Sequence, residues 1–286
     1  MQQHNEKSLR ELLKRHDLWL NKAIGQNFLV DASIPATIAG ASGIDRSCGV
    51  LEVGPGAGAL TAKLSDNAGK VLAVELDRRL LPVLDETLAG LSNVEIKQGD
   101  ILKLDITALV ERKMPGMRYI CCSNLPYSIT TPVLTKLIES GVFESVTVMV
   151  QSEVAKRICS DPGSRDYGAF TVFIDYHCPV KSILFDVPPE CFVPRPGVLS
   201  SVVKLVVRGG RLLSPDGERM LFSVVRAAFM QRRKTLVNAL YSAFGRDLSK
   251  GGIIEVVKKC GFDVNVRGER LGLEEFIKLS GFLKKN

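Results

Sequence analysis

The segment Asn124-Leu125-Pro126-Tyr127 combines side chains that could hold a flat ring bearing an amino group. An amide oxygen accepts a hydrogen bond from an NH2 group, and an aromatic ring offers a stacking face. The proline between them fixes φ at about −65° and stiffens the turn. The segment lies between a predicted strand at residues 118–122 and a predicted helix at residues 131–140. An ordinary Asn-Pro turn would use the same residue types, so the interpretation depends on the rest of the chain.

A glycine-rich loop, Glu52-Val53-Gly54-Pro55-Gly56-Ala57-Gly58, follows the first of several alternating strands and opens a helix. Glycines let a backbone turn tightly and approach a ligand closely. Nicotinamide, flavin and S-adenosylmethionine proteins all use such loops, but the spacing Glu-x-Gly-x-Gly-x-Gly differs from the Gly-x-Gly-x-x-Gly of dinucleotide sites. The loop also lacks the Lys-Ser/Thr ending of a triphosphate-binding P-loop.

Two further acids follow in the same order along the chain. Glu75 ends the second strand, where a carboxylate accepts hydrogen bonds from ribose hydroxyls. Asp100 follows the third strand, where a carboxylate can accept a hydrogen bond from an adenine amine. Together with the glycine-rich loop, these acids predict a site for an adenosine cofactor that has no 2′-phosphate.

Strands and helices alternate between residues 48 and 159, which predicts an α/β fold with a mostly parallel sheet and right-handed crossovers. Runs such as Val71-Leu72-Ala73-Val74 are continuously apolar, as in strands that are buried on both faces. Three further strands are predicted without a long helix between them, and such strands pair antiparallel at one edge of a sheet. They are predicted at residues 169–176, 181–185 and 202–207.

Arg208-Gly209-Gly210 marks the predicted boundary between a first domain, residues 1–208, and a helical domain, residues 211–286. Four helices are predicted in the second domain, at residues 218–229, 234–244, 253–260 and 273–279. Near the start of the chain, Ser8-Leu9-Arg10-Glu11 fits a capping box that would open a short helix.

The net charge of +7 is distributed unevenly along the chain. Residues 1–200 hold 21 Lys and Arg against 23 Asp and Glu, whereas residues 201–286 hold 17 against 8. This excess predicts that the C-terminal third faces a polyanion. Arg232, Arg233 and Lys234 are consecutive cations at the predicted start of a helix, where they could contact phosphates or form a solvated basic surface.

The composition favours a cytoplasmic protein without a metal. No apolar run approaches the ~18 residues of a membrane span, and the polar N-terminus lacks an apolar signal core. The seven cysteines contain no Cys-x-x-Cys pair, so they predict reduced thiols and no zinc site. Nothing marks an interface between subunits, which favours a monomer.

In combination, these features resemble the small-subunit ribosomal RNA adenine N6,N6-dimethyltransferases, which are class I S-adenosylmethionine-dependent enzymes. The resemblance runs from about Lys22 to Ser280. Besides the segments above, it rests on five motifs: Gly25-Gln26-Asn27-Phe28-Leu29, Gly99-Asp100-Ile101-Leu102, Gln151-Ser152-Glu153-Val154-Ala155-Lys156-Arg157, Phe192-x-Pro194-x-Pro196 and Phe229-Met230-Gln231-Arg232-Arg233-Lys234.

The resemblance implies a Rossmann-like, mostly parallel sheet with an antiparallel edge strand, followed by a small all-helical domain that binds rRNA. It also implies S-adenosylmethionine as cofactor, S-adenosylhomocysteine as product, and no metal. The implied cofactor-binding residues are Asn27, Leu29, Glu52, Gly54, Gly56, Glu75, Asp100, Ile101 and Asn124. The implied catalytic residues are Asn124, Leu125, Pro126, Tyr127 and Phe192, with Tyr127 and Phe192 on the two sides of the target adenine.

The reaction that the resemblance implies is dimethylation of two adjacent adenines in the 3′-terminal hairpin loop of 16S rRNA, within the small ribosomal subunit or its precursor. Arg232, Arg233 and Lys234 would contact that RNA, and no membrane is involved. One stretch departs from the family pattern: Gly197-Val198-Leu199 stands where the family usually has Lys-Val-Asp. The chain therefore lacks a lysine and an aspartate beside Phe192.

Three alternatives remain open from the sequence. Large-subunit rRNA adenine methyltransferases that confer antibiotic resistance share the cofactor motifs, although residues 229–234 and 270–276 favour the small-subunit group. A non-catalytic RNA-binding assembly factor is disfavoured because Glu52, Glu75, Asp100 and Asn124 are all retained. A nicotinamide-dependent oxidoreductase is disfavoured by the glycine spacing and by the lack of a histidine or lysine suited to a hydride site.

Overall fold

The computed structural model describes residues 6–19 and 27–283. It divides into two compact units, the first containing Met1–Ala155 and Val180–Gly209 and the second containing Lys156–Pro179 and Gly210–Asn286. The chain passes from the first unit to the second for the last time between Gly209 and Gly210. The sequence predicts a domain boundary at this glycine pair. Residues 156–179, which we expected in the first domain, belong to the second unit.

A mostly parallel sheet forms the centre of the first unit. In chain order, the described strands are Phe28–Leu29 (β1), Cys48–Val53 (β2), Lys70–Glu75 (β3), Val94–Gln98 (β4), Arg118–Asn124 (β5), Ser145–Gln151 (β6), Val180–Val187 (β7), Phe192–Val193 (β8) and Ser200–Val206 (β9). Seven of them form one sheet in the order β4-β3-β2-β5-β6-β9-β7, and β1 pairs with β8 separately. Strands β2 to β6 run parallel, while β9 and β7 are antiparallel at one edge. The expected mostly parallel sheet with antiparallel pairing at its edge is confirmed.

The helices of the first unit alternate with these strands. They are Glu6–Arg15 (α1), Ser33–Ser42 (α2), Ala59–Asn67 (α3), Leu81–Thr87 (α4), Ile106–Lys113 (α5) and Thr130–Glu139 (α6), and Ser152–Cys159 (α7) spans the division between the units. Helix α1 buries Leu9, Leu12 and Leu13, but it begins two residues before Ser8. Ser8 is therefore inside the helix, and the expected capping box does not open it.

The central strands bury both faces, as their apolar runs predict. Val50 and Leu51 of β2 and Val71 and Leu72 of β3 have no exposed surface. Burial on both faces is the usual environment of a parallel sheet covered by helices. The hydrophobic effect therefore holds the strand ends rigidly where the functional loops begin.

The second unit is helical. Its described helices, after α7, are Ala169–His177 (α8), Pro215–Met230 (α9), Leu236–Phe244 (α10), Lys250–Lys259 (α11) and Leu273–Leu283 (α12). Serine or threonine side chains cap three of them, since Ser214, Thr235 and Ser249 each accept a hydrogen bond from a backbone N–H in the first turn. Among the described residues, no helix is both long enough and apolar enough to cross a membrane.

Two secondary-structure predictions in the second unit are wrong. Residues 169–176 form helix α8 and not a strand, because Val172 and Tyr176 pack into the helical core and the Phe173 ring packs against that of Phe222, with ring centroids 5.8 Å apart. Tertiary packing thus overrides the β-propensity of a segment rich in β-branched and aromatic residues. Gln231–Lys234 form an exposed turn between α9 and α10 and do not open a helix.

One buried serine connects the sheet to the glycine-rich loop. The Ser123 side-chain oxygen accepts a hydrogen bond from the backbone N–H of Val53 at 2.9 Å, and both groups are buried. Val53 is the last residue of β2, directly before Gly54. The bond therefore fixes the point at which the strand turns into the loop.

We expect Ser123→Ala to lower the free energy of unfolding by about 1–3 kcal/mol, because it leaves a buried N–H without a partner. Ser65→Ala is the matched control, since the Ser65 hydroxyl donates only to the Ala62 carbonyl of its own helix. Urea denaturation of both variants measures the difference. Equal losses in the two variants would contradict the specific role of Ser123.

Candidate active site

A pocket lies at the carboxyl ends of β2, β3 and β5 in the first unit, with a cavity volume of about 250 Å³. Parallel strands bring their carboxyl ends to one edge, and ligands bind there in open α/β sheets. The lining residues come from β1, the glycine-rich loop, the end of β3 and the segment after β5. They are Asn27, Phe28, Leu29, Glu52, Gly54, Pro55, Gly56, Ala57, Ala59, Leu60, Glu75, Leu76, Asp77, Leu80, Asn124, Leu125, Pro126, Tyr127, Ser128 and Ile129.

The glycine-rich loop forms one wall of the pocket with a backbone that requires glycine. Gly54 and Gly56 have φ of 69° and 60°, in the left-handed region that disfavours side chains. A Cβ added to Gly56 would lie 3.3 Å from the Phe28 ring. The loop therefore leaves room for a ligand to approach the backbone closely.

Glu52 lines the pocket with a buried carboxyl group. It is 1 % exposed, and its Oε2 atom has no hydrogen-bond partner among the described residues. Burial, together with the neighbouring Glu75 carboxylate, raises the pKa of Glu52 to about 8. A buried carboxyl group facing a cavity is suited to bind a cationic group of a ligand.

Glu75 ends β3 and lines the same pocket at a fixed orientation. Its Oε1 accepts a hydrogen bond from the backbone N–H of Asp77 at 2.8 Å. Burial is the main cause that raises the pKa of Glu75, while backbone hydrogen bonds from Asp77 and Gly56 oppose it. Held in this way, the carboxylate can accept hydrogen bonds from a ligand's hydroxyl groups.

Asn124 lies at the end of β5, across the pocket from the glycine-rich loop. Its Nδ2 donates to the Asn27 carbonyl at 3.4 Å, which leaves the side-chain oxygen as an acceptor. The backbone N–H of Leu125 donates to the Met149 carbonyl at 3.1 Å and continues the pairing with β6. The amide is thus held by the sheet on one side and by the segment before β1 on the other.

Tyr127 begins a 3-10 turn, Tyr127–Ile129, directly after Pro126. Its hydroxyl group lies 2.6 Å from the Ser200 hydroxyl at the start of β9, and burial raises the pKa of Tyr127. Gly197, Val198 and Leu199, where the chain departs from the family pattern, immediately precede Ser200. These residues therefore lead into the strand that orients the Tyr127 ring.

Most of the residues predicted to bind the cofactor or to take part in catalysis meet in this pocket, but three of them do not line it. Asp100 accepts a hydrogen bond from the Leu102 N–H at 3.0 Å and lies 3.6 Å from the Lys103 ammonium. Ile101 is buried beside it. Asp100 and Ile101 both follow β4, which pairs with β3. They therefore lie near the edge of the sheet at which the pocket opens. Gly25 and Gln26 of the first motif lie outside the described residues.

Phe192 is the third predicted residue that does not line the pocket, and its ring is fully buried. It belongs to an apolar cluster that includes Leu29, Ile38 and Val202, and β8 pairs Phe192 with Leu29. In this arrangement the ring supports a pocket-lining residue from behind. A ligand could stack on Phe192 only if its neighbours moved.

Several pocket residues were missed from the sequence. Leu76 is the clearest, because it is 61 % exposed although it is apolar, and it lines the pocket directly after Glu75. Such a side chain can cover the face of a flat apolar ring. Its position next to a strand-end acid was the available signal. Phe28, Asp77 and Leu80 line the pocket because distant segments pack together there. Phe28 belongs to the motif at residues 25–29 and Asp77 lies two residues after Glu75, but neither was assigned to the site from the sequence.

The pocket therefore suits a ligand with a cationic end, hydroxyl groups and a flat ring. The cation would lie by Glu52, the hydroxyls by Glu75 and the ring by Leu76. In residues 6–19 and 27–283, no group of three or more side chains is arranged to hold a metal ion. The seven cysteines are free thiols. In the second unit, Arg232, Arg233 and Lys234 are exposed in the turn between α9 and α10.

The sequence matches the family model described as ribosomal RNA adenine dimethylase over residues 18–267. A protein of Shouchella clausii named ribosomal RNA small subunit methyltransferase A is 44% identical over 275 residues, which cover 95% of this chain and 92% of that relative. A protein of the same name from Clostridioides difficile is 41% identical over 281 residues, covering 98% and 96%.

Solved structures of similar proteins share the fold. A dimethyladenosine transferase from Plasmodium falciparum aligns with a TM-score of 0.73 at 25% identity, covering 88% of this chain and 95% of the other. The 23S rRNA methyltransferase ErmE aligns with a TM-score of 0.68 at 26% identity, covering 91% and 100%.

The buried Glu52 predicts a specific pH dependence of stability. Because its pKa is raised from 4.5 to about 8 in the fold, the protonated group contributes its full stability below pH 4.5 and loses it as the pH rises to about 8. We expect the native chain to lose stability relative to Glu52→Gln over this range, by up to about 1.4 kcal/mol per pH unit.

Urea denaturation from pH 5 to about 8.5 measures this difference. Glu111→Gln is the control, because Glu111 is exposed on α5. If the native chain and Glu52→Gln had parallel pH profiles, Glu52 would not be protonated in the empty pocket.

Proposed function

Because the chain belongs to the ribosomal RNA adenine dimethylase family, we propose that it methylates the N6 amines of two adjacent adenines in small-subunit rRNA, with S-adenosylmethionine as cofactor. The observation that carries this proposal is the position of Asn124. Its amide lies in the same pocket as two buried carboxyl groups and the glycine-rich loop. One pocket thus offers a cofactor site and an acceptor for an amine.

The pocket fits S-adenosylmethionine by its chemistry. Glu52, with a carboxylate oxygen that lacks a partner among the described residues, would bind the ammonium group. Glu75 would accept from the ribose hydroxyls, Leu76 would cover one face of the adenine, and Gly54 and Gly56 would let the ligand approach the backbone. Asn27 and Leu29 would line the methionine end.

Asp100 and Ile101 complete the proposed cofactor site from the next strand. They follow β4, which runs parallel to β3 with Gln98 opposite Glu75. The Asp100 carboxylate would accept from the adenine amine after the ligand reaches this edge of the sheet. Bound in this way, the cofactor would supply an electrophilic methyl group.

The target amine needs help because its lone pair is delocalised into the adenine ring. The Asn124 side-chain oxygen and the Leu125 carbonyl would accept hydrogen bonds from the two N–H groups of the amine. These bonds favour a pyramidal nitrogen with its lone pair turned towards the methyl group. No strong base is needed, since the N–H protons become acidic as the new bond forms. Orientation of this kind can supply about 7–11 kcal/mol of barrier reduction.

The target base has to leave its stack, which costs a few kcal/mol and least in a loop or single strand. The Tyr127 ring would return about 1–3 kcal/mol by stacking, and Pro126 and the Ser200 hydroxyl hold its orientation. Phe192 would stack on the other face only after its neighbours move, so we assign Phe192 to the support of Leu29.

The small ribosomal subunit, or its precursor, is the proposed partner. The curated relatives named small subunit methyltransferase A are 41% to 44% identical to this chain, whereas ErmE is 26% identical. This difference favours the small-subunit substrate over a large-subunit one. We assign catalysis to the first unit and RNA binding to the basic second unit. Because the proposed substrate is bacterial ribosomal RNA, we propose that the reaction takes place in the bacterial cytoplasm.

The first experiment is transfer of labelled methyl groups from S-adenosylmethionine to unmethylated small subunits, large subunits and free rRNA. We expect N6,N6-dimethyladenosine in small-subunit RNA near its 3′ end. Label in large-subunit RNA would assign the chain to the resistance enzymes. No label, with cofactor binding intact, would indicate an RNA-binding factor.

We expect Asn124→Ala to lower methyl transfer at least about 100-fold, because the amine loses its oriented acceptor. Cofactor affinity, measured by calorimetry, should change much less. Asn67→Ala is the control, since Asn67 is an exposed amide at the end of α3. Near-normal turnover of Asn124→Ala would exclude the proposed role of this side chain.

Tyr127 and Phe192 can be separated by substitution. Tyr127→Phe keeps the ring and should retain most RNA affinity, whereas Tyr127→Ala should weaken binding of a single-stranded target by about 5- to 150-fold, the equivalent of one stacked base. Phe192→Leu keeps an apolar group of similar size in the cluster and should retain affinity. A loss with Phe192→Leu equal to that of Tyr127→Ala would show that both rings contact the base.

A further inference from the structure

Arg232 belongs to the basic segment predicted to contact RNA, but its guanidinium group is already engaged within the second unit. Its Nε and Nη2 donate to the Glu269 carboxylate at 3.4 and 3.2 Å. Nη2 also donates to the Arg165 backbone carbonyl at 3.2 Å. Arg232 thus connects the turn after α9 with the loop before α8.

Glu269 holds the same loop through its backbone. Its carbonyl accepts a hydrogen bond from the Gly163 N–H at 2.7 Å. Gly163 has a φ of 83°, and a Cβ there would lie 2.9 Å from the Arg270 guanidinium. The loop therefore packs closely against residues 268–270. Arg232 and Glu269 form an ion pair, and both also contact this loop. We refer to the ion pair and these contacts together as the Arg232–Glu269 clamp.

The far end of the loop is anchored as well. Tyr167 is fully buried, and its hydroxyl donates to the Leu271 carbonyl at 2.9 Å. Within the loop, the Ser164 N–H donates to the Asp161 carbonyl at 3.1 Å. Residues 160–168 consequently have a defined conformation, although most of their side chains are exposed.

Three exposed cations lie on the segments that the clamp connects: Arg165 on the loop, and Arg233 and Lys234 on the turn. Within the part of the chain that the structure describes, none of the three forms an ion pair or a side-chain hydrogen bond. By contrast, the Arg232 guanidinium group already donates hydrogen bonds to a carboxylate and to a backbone carbonyl. The available charges belong to its neighbours.

We propose that Arg232 is a positioning residue, and that the Arg232–Glu269 clamp holds Arg165 beside Arg233 and Lys234 to form one surface that binds the phosphate backbone of RNA. The partner class rests on the proposed function, which supplies an rRNA substrate. Arginine and lysine contacts to phosphates fix the register of a nucleic acid without reading its sequence. The surface would therefore help to orient the small-subunit RNA.

Glu269→Gln tests the proposal because the two explanations predict opposite signs. If Arg232 bound phosphate directly, removing the acid would free its guanidinium and add positive charge, which tightens RNA binding and steepens its salt dependence. If Arg232 positions the loop, the same substitution weakens binding, by about 3- to 10-fold, since one phosphate contact is lost. Glu274→Gln is the matched control, because Glu274 is an exposed acid at the start of α12 in the same unit.

The full chain is titrated with unmethylated small ribosomal subunits at several salt concentrations. Arg165→Gln should weaken binding as Glu269→Gln does, reduce the salt slope by about one, and add little to Glu269→Gln in the double variant. Exposed ion pairs contribute little to folding, so thermal unfolding of Glu269→Gln should be nearly unchanged. Arg165→Gln leaves the clamp intact and keeps the test valid should Glu269→Gln unfold.

Tighter binding by Glu269→Gln, beyond the change produced by Glu274→Gln, would overturn the proposal and assign the phosphate contact to Arg232. A change equal to that of Glu274→Gln would also overturn it, because it would reflect the altered charge alone. An Arg165→Gln variant with native affinity and salt slope would overturn it too. If the native chain bound small subunits no better than unrelated RNA, the proposed function itself would fail. That outcome is separate, because it is measured before any substitution.

Discussion

The parallel pairing of β3, β2 and β5 is the constraint on which the site depends. Because parallel strands end at the same edge, residues far apart in sequence meet there: Glu52 near the end of β2, Glu75 at the end of β3 and Asn124 at the end of β5. The strands are buried on both faces and cannot slip without exposing apolar side chains. The apolar core beneath the polar groups therefore fixes their positions.

This arrangement places uncompensated polar groups inside the molecule. Burial raises the pKa of Glu52 and of Glu75, so the pocket holds both carboxyl groups in an environment that disfavours their charge. A ligand that brings a cation and hydroxyl groups satisfies them. The fold thus gives up some stability to keep a site preorganised for such a ligand, and the free energy is recovered on binding.

Much of the fold and the pocket could be predicted because short motifs report on local geometry. Apolar runs gave the strands, and the glycines marked a loop that requires positive φ at Gly54 and Gly56. The errors arose where distant packing decides. Helix α8 has β-branched and aromatic residues, but it forms because Val172 and Tyr176 enter the core of the second unit. Phe28 and Leu80 likewise become pocket residues only when remote segments meet.

Some motif residues can contact a ligand, whereas others hold the surrounding backbone in place. A sequence does not distinguish these two roles. Phe192 lies in a motif as specific as that of Tyr127, but it is fully buried and pairs with Leu29. Arg232 lies in the same basic run as Arg233, but its guanidinium is bound to Glu269. In both pairs, we assign contact with a ligand to one residue and support of the surrounding chain to the other. A ligand-binding surface needs both kinds of residue, because exposed groups orient a ligand only when buried or paired groups hold their backbone in place.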